Sequence, residues 1–163
     1  MKVLCITGEN GVGKSHLANL LNKGAGFNMI KSYTTRDKRG VDEEDHIFVD
    51  EKDIGDVYSK YDVVASSDIN GGLYWATREQ FKDDVVNVYV VDSEGYEDLL
   101  QHNWDVRLVF VRADVPAREN TTHIPVGLFD YVDYYFDNSD HEQTFRQVAN
   151  LIRKMNDEWS WEV

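Results

Sequence analysis

The sequence has few cysteines, few prolines and a shortage of basic residues, and each scarcity excludes something. The single cysteine, Cys5, rules out a disulfide framework and is expected to be a buried thiol in the first strand. With only two prolines, no proline-, glycine- or serine-rich linker divides the chain. Lysine and arginine total 17 against 30 acidic residues, a formal net charge of −13 that disfavours nucleic-acid partners.

Long apolar runs are also missing, so no segment approaches the length needed to span a membrane. The chain begins directly with a predicted strand, and we therefore expect a cytoplasmic protein. Its 163 residues suit a single domain over 1–163 that buries a sizeable core. We expect a monomer or a weak dimer.

The most informative stretch is residues 8–15, GENGVGKS, which fits the phosphate-loop pattern G-x-x-x-x-G-K-[ST]. An apolar run precedes it and helically spaced apolar residues follow it. Glycines let backbone N–H groups surround a phosphate, and the new helix directs its positive end there. The alternative is a structural glycine turn. The candidate residues for binding a nucleoside triphosphate are Gly8, Glu9, Asn10, Gly11, Val12, Gly13, Lys14, Ser15 and His16.

Within that loop, Lys14 is expected to reach the outer phosphates and the Ser15 hydroxyl to ligate Mg²⁺. Strands alternate with helices on either side of a less regular middle segment. The run Val85–Val91 is nearly all apolar, as in a parallel strand buried on both faces. This pattern predicts an α/β fold with a central parallel sheet covered by helices on both faces. Residues from about 32 to 77 break the rhythm and are predicted to form a small inserted lobe.

A cationic segment follows the second predicted strand. Arg36, Lys38 and Arg39 lie within four residues of an otherwise acidic protein. The planar guanidinium of arginine can donate two parallel hydrogen bonds to a phosphate. Taken alone, this string could equally be a solvated loop.

Together with the phosphate loop, the segment resembles guanylate kinases, the family that phosphorylates GMP from ATP. Four further stretches carry the resemblance in order: Ser32–Gly40 with Phe48-Val49, Tyr74 after a short glycine turn, Val90–Gly95, and Phe129–Asn138. The resemblance spans most of the chain. It implies a P-loop kinase fold in which the inserted lobe binds a nucleoside monophosphate.

The resemblance also implies roles for individual residues. Arg36 and Arg39 would bind the acceptor phosphate, assisted by Tyr74 and Ser32. Asp92 would lie at the carboxyl edge of the sheet, near the Mg²⁺ water shell or the acceptor base. The alternative for Asp92 is a helix N-cap, a role that Ser93 could fill equally well.

Three departures from the family pattern modify these expectations. His46 stands where the family usually has a tyrosine. The glutamate that reads the guanine edge should fall near Ala65, and Asp68 is the nearest carboxylate that could replace it. The arginine-rich lid is almost absent, so we expect Arg112 or Arg118 to supply its cation.

The leading function is therefore an ATP- and Mg²⁺-dependent nucleoside monophosphate kinase acting on small-molecule nucleotides. A second possibility is a P-loop kinase for another phosphorylated metabolite or a nucleic-acid base. A third is a non-catalytic guanylate-kinase-like interaction domain, although such domains typically lose the phosphate loop. We interpret Glu43-Glu44-Asp45 as a solvated acidic turn rather than a metal site, and His123 as a solvated loop histidine.

Overall fold

The computed structural model describes residues 1–114 and 124–163, in which strands and helices alternate along most of the chain. Those residues form nine strands: β1 (Lys2–Thr7), β2 (Asn28–Ile30), β3 (Tyr33–Thr34), β4 (Ile47–Phe48), β5 (Val63–Ile69), β6 (Gly72–Thr77), β7 (Val86–Val90), β8 (Asp105–Arg112) and β9 (Tyr134–Asp137). They also form four α-helices: α1 (Lys14–Ala25), α2 (Ile54–Lys60), α3 (Ser93–Leu100) and α4 (Thr144–Asp157). Short 3₁₀ turns occupy Glu51–Asp53, Arg78–Gln80, Val126–Tyr131 and His141–Gln143.

The larger sheet has five parallel strands in the order β2-β7-β1-β8-β9. Its central strand, β1, pairs with β7 on one side and β8 on the other. Because both of its faces are covered, β1 is apolar without alternation, and Val3 to Ile6 are fully buried. The phosphate loop begins where β1 ends, at the edge where open α/β sheets bind ligands.

Alternate residues of β1 belong to two separate cores. Leu4 and Ile6 pack with residues of α1 and α4, including Leu21 and Leu151. Val3 and Cys5 pack on the opposite face with residues of α3 and β5. The predicted parallel sheet covered on both faces is therefore confirmed, and so is the buried position of Cys5. None of the helices in the described ranges is long and apolar enough to cross a membrane.

A second sheet, in the order β4-β3-β6-β5, is built entirely from residues 33–77. β3 and β6 run antiparallel, which places Thr34 opposite Tyr74. β5 and β6 form a hairpin whose turn contains Asn70 and Gly71, both with positive φ. This sheet explains why the middle segment interrupts the alternation of strands and helices. The division of the chain into a main body and an inserted lobe stays a prediction.

Two of the helical elements begin at an aspartate cap. Asp92, rather than Ser93, is the N-cap of α3, and its Oδ1 accepts a hydrogen bond from the Gly95 N–H at 2.9 Å. Near the C-terminal helix, Asp140 caps the preceding 3₁₀ turn by accepting from the Glu142 N–H. Neighbouring cap-forming residues compete for one position, and the path of the chain into the helix decides between them.

Candidate active site

A cavity of about 930 Å³ lies between the carboxyl edge of the larger sheet and the second sheet. It is lined from both directions: the phosphate loop forms one end, and residues from β3 to β6 form the other. The predicted site residues that line it are Gly8, Asn10, Gly11, Gly13, Lys14, Ser15, His16, Ser32, Arg36, Arg39, His46, Tyr74 and Asp92. The fold thus brings most of the candidate residues of the phosphate loop and of the middle segment, together with Asp92, to one place.

The phosphate loop depends on its glycines for two reasons. Gly8, Gly11 and Gly13 have φ values of 149°, 82° and 100°, which L side chains rarely adopt. In addition, a Cβ on Gly8 would overlap the Val111 carbonyl oxygen, and one on Gly13 would overlap the Asn138 side-chain amide. The loop is therefore a backbone cradle packed closely against β8 and the segment after β9. Such a cradle suits phosphate oxygens, which backbone N–H groups can approach without obstruction.

Lys14, the first residue of α1, folds back over this cradle. Its Nζ donates to the carbonyl oxygens of Gly8 and Glu9, each at 2.7 Å. Burial lowers the pKa of Lys14 to about 8, an effect that the charge of Glu9 partly opposes. The ammonium is thus held at the mouth of the loop in a half-buried position. A bound polyphosphate there would favour its protonated form.

Asn138 is a part of the loop support to which the sequence assigned no role of its own. Its side chain is buried, with 8% exposed, and its Nδ2 donates to the Val12 carbonyl at 2.9 Å. Its Oδ1 accepts from the Thr144 hydroxyl at the start of α4, at 3.4 Å. The amide therefore ties the loop to the C-terminal helix. The resemblance included Asn138 only as the last residue of the late strand.

At the other end of the cavity, Arg36 is held by a dense set of contacts. Its two Nη atoms form a bidentate ion pair with the Glu43 carboxylate. Nη1 also donates to the Asp37 carbonyl, and Nε donates to the Tyr74 hydroxyl at 3.0 Å. These bonds use four of the five guanidinium N–H groups. The remaining N–H group is on Nη2. It points along the guanidinium edge that Nη2 shares with Nε, and Tyr74 faces this edge.

Glu43 corrects the interpretation of residues 43–45 as a solvated acidic turn. Its carboxylate bonds Arg36 and also accepts from the Arg39 N–H at 2.7 Å. These hydrogen bonds, that of Arg36 above all, lower the pKa of Glu43 to about 2. Glu43 therefore stays ionised throughout the neutral range and organises the cationic loop. Adjacent acidic residues look alike in a sequence, so only the folded loop reveals which one turns inward.

His46 lies beside the same cluster. Its ring makes edge contacts with Tyr74 and Phe48, at centroid distances of 5.5 and 6.1 Å. Burial, followed by the positive charge of Arg36, lowers the pKa of His46. A neutral ring can therefore pack beside the guanidinium without repelling it.

Part of the cavity wall is lined by uncharged residues. Ser32 and Tyr89 join their hydroxyl oxygens at 2.8 Å, and both side chains are buried, with 6% and 4% exposed. Ser66 lines the same wall, and its N–H donates to Asp98 Oδ2 at 2.9 Å. Tyr89 was not predicted as a site residue, because a tyrosine within an apolar strand usually belongs to the core.

Several predicted residues are placed elsewhere or outside the description. Asp68 does not line the cavity; its Oδ1 accepts from the Gly71 N–H in the β5–β6 turn. Arg112 does not line it either, and its guanidinium pairs with Asp137 at 3.1 Å. Arg118 and His123 lie outside the described residues. Ala65, where a base-reading glutamate was expected, is fully buried in the core.

Two further loop residues, Glu9 and Val12, do not line the cavity. Val12 is buried in the core instead and anchors the loop. Asp92 lines the cavity and at the same time caps α3, so its two proposed roles are compatible. No group of three or more His, Cys, Asp or Glu residues within 1–114 and 124–163 could hold a metal by itself. Mg²⁺ commonly relies on substrate phosphates for part of its shell, so a hydroxyl such as that of Ser15 fits that chemistry.

The strand, glycine loop and helix at the carboxyl edge of a parallel sheet define a P-loop protein, here with a second sheet over the loop. No protein-family model matches the chain. It is 26% identical over 179 aligned positions to a guanylate kinase of Anaplasma phagocytophilum strain HZ, covering 93% of this chain and 85% of that protein. These observations confirm the resemblance to guanylate kinases that the sequence motifs carried.

The fold agrees with that resemblance. The crystal structure of guanylate kinase from Anaplasma phagocytophilum matches with a TM-score of 0.68 and 18% identity, over 99% of this chain and 97% of that one. The predicted P-loop kinase fold is therefore confirmed. The sequence and structural matches together support an enzyme of the nucleoside monophosphate kinase class.

Proposed function

We propose that the chain is an ATP-dependent kinase that transfers the γ-phosphate of ATP to GMP, dGMP or a related (deoxy)nucleoside monophosphate. One observation carries the proposal: a single cavity joins the phosphate loop to the Arg36–Tyr74 cluster. Phosphoryl transfer requires donor and acceptor to be held in line and the charge on the migrating group to be compensated. A cradle at one end and a guanidinium at the other meet both requirements.

On the donor side, the loop amides and Lys14 would hold the β- and γ-phosphates of ATP. Lys14 is already desolvated and hydrogen-bonded at the loop mouth, so little reorganisation is needed when it exchanges carbonyl partners for phosphate oxygens. Mg²⁺ would be held by the Ser15 hydroxyl together with substrate oxygens. When bound, it neutralises charge on the transferring phosphate.

On the acceptor side, the free N–H on the Nη2 atom of Arg36 and the Tyr74 hydroxyl would bind the phosphate of the monophosphate. Arg39, whose backbone N–H is anchored to Glu43, would add a second guanidinium. Asp92 lines the same cavity and would orient the Mg²⁺ water shell or the acceptor base. Holding the acceptor against the second sheet would exclude water that could otherwise consume ATP.

Base discrimination is expected to be weaker than in a typical guanylate kinase. A site that hydrogen-bonds one ligand group rejects analogues that lack it, because its own polar atoms would be left unpaired. Here the expected reader position, Ala65, lies in the core, and Asp68 is engaged in a turn. GMP and dGMP are therefore expected as substrates, with other monophosphates accepted to a lesser degree.

The test is the measurement of kcat/KM with ATP for all ribo- and deoxyribonucleoside monophosphates. Arg36→Ala serves as the control that weakens acceptor-phosphate binding. Turnover of GMP or dGMP that depends on Arg36 supports the proposal. Activity on none of them, with ATP binding intact, would contradict it and direct the search to another phosphorylated acceptor. Failure to bind ATP would instead point to a non-catalytic interaction domain.

A further inference from the structure

The turn between β5 and β6 consists of an asparagine followed by a glycine. Asn70 and Gly71 are the two residues between the paired positions Ile69 and Gly72, and their φ values are 53° and 79°. Two-residue hairpin turns favour Asn-Gly, because both residue types tolerate the left-handed region. The shape of the turn therefore explains why this dipeptide is present. It also leaves a chemically reactive step, with the asparagine exposed, on the surface of the second sheet.

An Asn-Gly step is the dipeptide at which asparagine loses its side-chain amide most readily, because glycine has no Cβ to hinder the reaction. The glycine nitrogen gives up its proton and attacks the asparagine Cγ. The bond from Cγ to the side-chain nitrogen breaks, and that nitrogen takes up a proton and leaves as ammonia. Water then opens the resulting cyclic imide at either carbonyl, giving aspartate or isoaspartate. In this turn the attacking atom is the nitrogen of Gly71.

The Gly71 N–H group is held by a neighbouring carboxylate. It donates a hydrogen bond to Asp68 Oδ1 at 3.0 Å. This bond must break before the nitrogen can attack Asn70. In addition, the negative charge of Asp68 disfavours loss of the proton, because the nitrogen would become negative beside a like charge. Both effects slow the first step, so Asp68 restrains the reaction of its own turn.

The turn also lies against the acceptor end of the cavity. Asn70, Gly71 and Gly72 all line the cavity, whereas Asp68 does not. A Cβ placed on Gly72 would lie 3.5 Å from the Cβ of Arg36 and 3.5 Å from the Tyr74 ring. A carboxylate formed at position 70 would therefore add negative charge beside the cluster that would bind a phosphate dianion.

We propose that Asn70 is a site of spontaneous deamidation, that Asp68 restrains the reaction, and that the product weakens binding of the acceptor phosphate. The first two parts stand apart from the proposed kinase function, and the third rests on it. Aspartate at position 70 changes the charge alone. Isoaspartate also lengthens the backbone of the turn, which would shift Gly72 against Arg36.

The chemical part is tested by incubating the protein in mildly alkaline buffer and following tryptic peptides by mass spectrometry. The peptide spanning residues 61–78 contains Asn70 as its sole asparagine. The peptide spanning residues 3–14 contains Asn10, which forms the other Asn-Gly step of the sequence and serves as an internal control. Asp68→Ala should speed conversion at Asn70 by about fivefold, the factor that one hydrogen bond is worth. Conversion at Asn10 should be unchanged.

The kinetic part is tested with Asn70→Asp, which carries the charge of the product from the start. Its KM for GMP should rise by about fivefold, as for two like charges a few ångströms apart in water, and its KM for ATP should stay unchanged. In aged wild-type protein, KM for GMP should drift in the same direction as conversion at Asn70 proceeds. Asn70→Gly, which suits a positive φ and has no amide to lose, should show no such drift.

Absence of conversion at Asn70, or equal rates there in wild type and Asp68→Ala, would overturn the chemical part. If Asp68→Ala does not fold, conversion at Asn70 that is no faster in denatured than in folded wild-type protein would overturn it instead. An unchanged KM for GMP in Asn70→Asp would overturn the kinetic part. Fresh wild-type protein inactive on every monophosphate would defeat the proposed function, an outcome that leaves the mass measurements to decide the chemical part.

Discussion

The two ends of the cavity are built in opposite ways. The phosphate loop is one continuous segment that would bind phosphate mainly through its backbone N–H groups. Its glycines are required by positive φ values and by close packing against Val111 and Asn138. The acceptor end is assembled from side chains: Arg36 contacts Tyr74, 38 residues away, and the carboxylate of Glu43, from the intervening loop, holds the Arg36 guanidinium. One end is therefore a local structure, and the other is a tertiary one.

This difference determines how each end can fail. A local backbone cradle depends on a few glycines and one lysine, and losing any of them removes its function outright. The side-chain cluster shares its contacts among several partners, so single losses should weaken it by degrees. The following predictions test that contrast, beginning with the largest effect.

The loop should show the largest single effect. Lys14→Ala should lower kcat for phosphoryl transfer by a hundredfold or more, because the cation at the donor phosphates is lost. Lys14 proves to be half-buried and bonded to two loop carbonyls, so a decrease of a few degrees in melting temperature is expected as well. Kinetics with Lys23→Ala, an exposed lysine of the same helix, provide the comparison. Near-normal turnover in Lys14→Ala would refute the donor assignment.

At the acceptor end, Glu43→Ala should raise KM for the monophosphate by about tenfold and leave KM for ATP unchanged. Without its carboxylate partner, Arg36 loses the bidentate contact that aims its remaining N–H along the edge facing Tyr74. Glu44→Ala, a change at the neighbouring exposed acid, should have little effect on either constant. A fall in the acceptor KM of Glu43→Ala would show that the carboxylate competes with the phosphate rather than positioning Arg36.

Loss of the Asn138 side chain, which supports the loop, should give a smaller effect, and on ATP instead of the monophosphate. Asn138→Ala leaves the Val12 carbonyl without its side-chain donor and opens space beside Gly13. We expect KM for ATP to rise by about fivefold, as for one lost buried hydrogen bond, with the acceptor KM unchanged. Steady-state kinetics with each substrate varied in turn would reveal this pattern. An equal rise in both constants would mean that the defect spreads through the fold.

The smallest effect is expected at Arg112. The sequence nominated Arg112 or Arg118 as the source of the lid cation, but Arg112 pairs with Asp137 on an exposed edge and does not line the cavity. Arg112→Ala should therefore keep kcat within about threefold of wild type, because the guanidinium lies outside the cavity and an exposed ion pair contributes little to stability. A tenfold loss in Arg118→Ala would then assign the cation to Arg118. Should Arg112→Ala itself lose tenfold, its guanidinium must leave Asp137 during turnover.

Several features could be read from the sequence because they depend on short-range rules. The strand-loop-helix order, the parallel sheet and the alternation of helices follow from apolar periodicity and glycine spacing. A shared site for Arg36 and Tyr74 was expected only because the motifs resemble those of guanylate kinases. Helix caps were less predictable, since adjacent residues such as Asp92 and Ser93 have nearly equal cap preference.

What the sequence determined by itself is the donor end. Residues 8–15 carry the glycines, the lysine and the serine in one contiguous string, so backbone geometry alone brings them together. What only the tertiary structure decided is the acceptor end and its wall. It turned Glu43 inward to Arg36, placed Tyr89 against Ser32 and kept Asp68 in a turn. The Ser32–Tyr89 and Arg36–Tyr74 contacts join residues 57 and 38 positions apart, so they depend on how distant strands pack, and no local pattern records that.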